Sequence, residues 1–148
     1  MPPVDPIISG IARVIQLSIA PVFLLTAVGA LLGVFATRLS RVIDRARKLE
    51  DRLPHVSADE ARQLHEDILR LGSRARLVNR SITLAVSAAI CVCAIIATLF
   101  VGAEFTLAVE RVVAVLFIMA MCALIAALML FLREVFLSTR SLRFGPSR

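Results

Sequence analysis

Ser18, Val22, Thr26, Gly29, Gly33, Thr37 and Ser40 recur at steps of three and four residues, so a helix places them on one face. Small and hydroxyl-bearing side chains in an otherwise apolar helix have two uses. They let two backbones approach closely, as Gly29-x-x-x-Gly33 does, or they line a water path between copies of an oligomer. Thr83, Ser87, Cys91, Ala94, Thr98 and Gly102 form a second face of the same kind. Two readings therefore stand: the faces pack together, within or between subunits, or one of them borders a pore. Glu104 and Glu110 flank the next apolar runs. Repeated by symmetry, either would make an acidic ring that draws cations to a channel mouth; the plainer alternative is a solvated loop carboxylate.

Enzymatic chemistry finds little support. His65-Glu66 begins like a zinc-protease helix, but Leu69 stands where the second histidine belongs. Cys91 and Cys93 are two residues apart, so a helix points them in different directions and they cannot chelate from one face. There is no glycine-rich phosphate loop and no Ser-His-Asp set. The expectation is a protein that is not an enzyme, with no catalytic residues, cofactor or metal.

The elements that carry these residues follow from hydropathy. Of 148 residues, 59% are hydrophobic and 19% charged, more apolar than an ordinary soluble domain. The excess lies in three runs, 14–37, 81–103 and 112–132, each as long as the roughly 20 residues a helix needs to cross a hydrocarbon core. Around them lie an N-terminal tail (1–13), a long connection (38–80), a short loop (104–111) and a basic tail (133–148). Pro21 is expected to kink the first run near its outer end. The third run lacks a polar stripe; its Leu, Ile, Phe and Met residues point all round, and it is expected to face lipid. The long connection and final tail hold fifteen of the seventeen Lys and Arg; only Arg13 and Arg111 lie elsewhere. Basic segments stay in the cytosol, so the N-terminus is expected outside and both basic segments inside. The net charge of +6 then belongs to the membrane flanks, and nucleic acid is not an expected partner.

The connection has its own pattern. Leu39, Val42, Ala46, Leu49 and Leu53, then Ala61, Leu64, Ile68, Leu71, Ala75 and Val78, follow heptad steps. Pro54-His55-Val56 interrupts them, and Ser57-Ala58-Asp59-Glu60 reads as a capping box that starts a new helix. So short a turn forces the helices antiparallel. Setting Leu53 opposite Ser57 brings Arg52 near Glu60 and Arg45 near Asp67, and sets Arg38 beside Arg74. The alternative is that these seams pair between subunits. Anionic lipid headgroups are expected near Arg38, Arg74 and Arg80. The fold class is thus an all-α integral membrane protein: three transmembrane helices, with a cytosolic antiparallel coiled-coil hairpin between the first and second.

Ile19-Ala20-Pro21-Val22-Phe23-Leu24-Leu25, Arg38-Leu39-Ser40-Arg41-Val42-Ile43-Asp44-Arg45-Ala46-Arg47, Asn79-Arg80 and Phe131-Leu132-Arg133-Glu134-Val135 resemble a bacterial family of small membrane proteins, domain-of-unknown-function family 2721. The likeness covers about residues 14–142. It implies a bacterial cytoplasmic membrane and the three-helix layout, and it carries no activity. The functional expectation is a homo-oligomeric membrane assembly, in its specific form a cation-conducting channel with a cytosolic helical bundle. The alternative is a membrane-anchored scaffold whose hairpin binds a partner protein.

Overall fold

The computed structural model describes residues 6–105 and 108–140, and within them the side chains of 10–105 and 108–136. The described residues form three long helices: α1 (Pro6–Glu50), α2 (Ala58–Glu104) and α3 (Glu110–Arg140). A short 3-10 turn, Leu53–His55, joins the first two. All three helices are long and apolar enough to cross a membrane. At 45 and 47 residues, α1 and α2 are more than twice the length a bilayer core requires. Each continues unbroken from its apolar run into its heptad stretch, because no helix breaker separates them. Pro21 sits inside α1, which remains helical across it. Its side chain is buried, and the ring deprives only the Leu17 carbonyl of its usual partner.

One seam organises α1. Ser18, Pro21, Val28 and Phe35 are buried, and Leu25 and Leu32 between them are half-buried. Leu39, Val42, Ala46, Leu49 and Leu53 continue the same alternation of three and four, all half-buried, while every other residue from Ser40 to Arg52 is exposed. Ala61, Leu64, Ile68, Leu71, Ala75 and Val78 are likewise sheltered. The heptad positions read from the sequence are thus at least partly covered in the single chain. At the turn, Pro54 occupies the first turn of the 3-10 segment and Val56 is extended. The amide of Ala61 donates to the Ser57 carbonyl at 2.9 Å, and Asp59 and Glu60 place negative charge at the positive end of α2.

The chain divides into two compact units, Met1–Leu31 with Ala85–Ile125, and Leu32–Leu84 with Ala126–Arg148. In the first, Val28, Ala88, Val92, Ile95 and Ala120 form the core. In the second, Phe35, Leu71, Val78 and Ala127 do; the Phe35 and Phe131 rings meet at 4.5 Å, tilted by 35°, a favourable aromatic geometry. α3 has a narrow packing face beside the broad apolar surface that is expected to face lipid. Ala120, Ala127 and Glu134, spaced by sevens, are all buried. Small side chains there allow close helix approach, the main source of packing energy where the surroundings are as apolar as the core. Large apolar residues such as Phe23, Ile90, Ile118 and Met129 point outward.

In the first unit, α2 ends where its chain crowds the start of α3. Gly102 is buried, and a methyl group added there would lie 2.6 Å and 2.7 Å from the two Val109 methyls. Valine is short and stiff, so one of the two must give way. Gly102→Ala is expected to destabilise the fold by about 1–3 kcal/mol, read as a lowered midpoint in detergent unfolding followed by circular dichroism. Val109→Ala in the same chain should recover most of the loss. No loss from the single change would refute this contact.

Candidate functional site

The small-residue face of α1 is the first candidate. Thr26, Gly29, Gly33, Thr37 and Ser40 are all exposed. A methyl group added at Gly29 or Gly33 would meet no atom within 4 Å. Ser18, at the head of the stripe, is instead buried at 6% exposure and donates to the Val14 carbonyl at 2.8 Å. The split has a geometric cause. From Ser18 to Ser40 the stripe takes six steps over 22 residues, about 3.67 per turn, whereas the buried seam repeats every 3.5. The two coincide at Ser18 and are one residue, about 100°, apart by Leu39 and Ser40. The hydroxyls on this face are already satisfied: Thr26 donates to the Val22 carbonyl at 3.2 Å and Thr37 to the Gly33 carbonyl at 2.9 Å. Ser40 donates to Asp44 Oδ2 at 3.4 Å.

The second stripe drifts the other way. Thr83 and Ser87 are exposed, Cys91, Ala94 and Thr98 are half-buried, and Gly102 is buried. Thr83 bonds the Asn79 carbonyl at 3.1 Å and Thr98 the Ala94 carbonyl at 2.7 Å. Only its later part therefore serves packing inside the chain. Glu104 and Glu110 are both exposed. On either side of the 3-10 turn, Arg45, Arg52 and Glu60 are exposed, and Asp67 lies 3.9 Å from Arg70, one turn along its own helix; Arg70 also reaches Glu66 at 3.9 Å. Such exposed pairs contribute little, about 0–1 kcal/mol.

One residue of consequence was not singled out from the sequence. Glu134 is fully buried near the end of α3, and Arg38 Nε, on a side chain 34% exposed, donates to its Oε2 at 3.3 Å. A carboxylate without access to water is tolerated only when hydrogen bonds and opposite charge hold it. Arg38, expected beside lipid headgroups and Arg74, has this protein carboxylate as a neighbour. Two signals for Glu134 were present: its seven-residue spacing from Ala120 and Ala127, and an arginine just past the first apolar run. Among the described residues, no three His, Cys, Asp or Glu side chains converge as a metal site would need, and Cys91, Cys93 and Cys122 are unbridged.

Residues 18–144, nearly the whole described structure, match the family model described as Protein of unknown function (DUF2721). The chain belongs to DUF2721. The match takes in α1 from Ser18, the 3-10 turn, α2 and all of α3, so the α1 face and the Arg38–Glu134 pair both lie inside this DUF2721 region. The family resemblance read from the sequence is borne out. No curated protein and no solved structure is a match to the chain.

Proposed function

We propose that this DUF2721 protein is a homo-oligomeric membrane assembly whose copies meet along the small-residue face of α1. The observation that carries the reading is the open space beside Gly29 and Gly33 on an exposed face. Two backbones can approach closely there. Thr26 and Thr37 bond their own helix, so covering the face leaves no hydroxyl stranded. The distribution of Lys and Arg supports an N-terminus outside a bacterial cytoplasmic membrane, with the hairpin and C-terminus in the cytosol. On this reading the hairpin is an antiparallel coiled coil, with Arg52 facing Glu60 and Arg45 facing Asp67. Anionic headgroups gather near Arg38, Arg74 and Arg80. The assembly does no catalysis.

The deciding measurement is the mass of the protein in lipid nanodiscs by light scattering or native mass spectrometry. A closed set of copies is the expected result. A single protomer would refute the assembly and favour a membrane-anchored scaffold whose hairpin recruits a partner.

A cation-conducting form of this assembly draws on a separate observation, the exposure of both Glu104 and Glu110. Glu104→Gln is expected to reduce cation flux into proteoliposomes severalfold while leaving the mass unchanged. Flux equal to that of empty vesicles, with or without the substitution, would leave the assembly a non-conducting one.

A further inference from the structure

The first unit contains a cavity of about 670 Å³, within the size range of small-ligand sites. Its apolar lining includes Leu17, Ile95, Leu99 and Phe117, supplied by all three helices. Two charged residues also line it, Arg13 from α1 and Glu110 from the first turn of α3. Both side chains are exposed. Among the described residues neither makes an ion pair. The cavity lies at the end of the apolar runs, the depth at which an inserted chain would pass from hydrocarbon to headgroups. Apolar walls with one cation and one anion at that depth are complementary to a lipid whose tail is apolar and whose head carries both charges.

We infer that this crevice binds a zwitterionic phospholipid with a primary ammonium headgroup, such as phosphatidylethanolamine. The acyl chain lies along Leu17, Leu99 and Phe117, the phosphate meets Arg13, and the ammonium meets Glu110. Arg13 attracts the phosphate of any phospholipid, so by itself it selects nothing. Glu110 supplies the selectivity, because it attracts an ammonium and repels the net negative head of phosphatidylglycerol. The inference goes beyond the proposed assembly and shares with it insertion in a membrane and, with its cation-conducting form, the Glu110 carboxylate.

The test is native mass spectrometry of the delipidated full chain, titrated with phosphatidylethanolamine or phosphatidylglycerol of identical acyl chains. The unaltered protein should bind the first more tightly. Arg13→Gln should weaken both by roughly fivefold, the ratio that corresponds to about 1 kcal/mol for one basic residue at a lipid surface. Glu110→Gln should abolish the preference between the two lipids. Ala114→Trp, which fills the crevice from its lining and leaves both charges, should remove bound lipid without lowering the unfolding midpoint. Equal affinity for the two lipids, or a preference that survives Glu110→Gln, would overturn the inference. Lipid bound by protomers but excluded from oligomers would also overturn it, by assigning the crevice to a second copy. The oligomer mass is read in the same spectra, so failure of this site and failure of the assembly are separable.

Discussion

Glu134→Lys is expected to cost about 4 kcal/mol or more, the largest loss of any single substitution considered. The native carboxylate is fully buried with the Arg38 guanidinium 3.3 Å away. Lysine there would put a second cation beside Arg38 in a site with no water to screen the repulsion. Detergent unfolding followed by circular dichroism would register the loss as a collapsed midpoint or as failure to recover folded protein. The exchange Arg38→Glu with Glu134→Arg restores opposite charges, and at least half the lost stability should return. Arg38→Gln should be milder, about 1–3 kcal/mol, since it takes the opposite charge from the buried carboxylate but leaves an amide that can still donate a hydrogen bond to it. A Glu134→Lys protein as stable as the unaltered chain would mean that the buried pair contributes nothing to the fold.

Changing Gly29 and Gly33 together to leucine should leave the protomer folded and break the assembly. Within the chain neither glycine has a neighbour for a new side chain to strike, and leucine is a better helix former than glycine. Against a second helix, each leucine would hold the backbones apart at a cost of about 1–3 kcal/mol. The two together should raise the dissociation constant by roughly a hundredfold or more. Nanodisc mass at falling protein density would show the shift toward protomers, and the unfolding midpoint measured alongside would stay level or rise. An oligomer that persists with both leucines in place would exclude this face as the interface.

The heptad positions between Leu39 and Val78 were legible because burial on a helix follows period. Apolar residues at every third and fourth place form one stripe, and the structure shelters those positions at least in part. The uninterrupted length of α1 and α2 was legible for a related reason, since nothing between the apolar run and the heptads breaks a helix. The small-residue stripe was harder to judge. Its composition was plain, but whether it faced inward depended on its drift relative to a seam of different period. Ser18 and Gly102 turned inward, and Thr26 to Ser40 turned outward.

What the sequence determined alone is what short-range physics dictates: three apolar helices of spanning length, the turn at Pro54, the heptad seam, the asymmetry of charge and the DUF2721 family. Each rests on residues close together in the chain or on simple counts. Only the tertiary structure paired Arg38 with Glu134, 96 positions apart, and made Ala120 and Ala127 the packing face of a helix that reads as uniformly apolar. It likewise set Val109 against Gly102 and gathered Arg13 and Glu110 around one crevice. Those outcomes depend on the relative rotation of neighbouring helices, which many residues set jointly through packing and which no local pattern encodes.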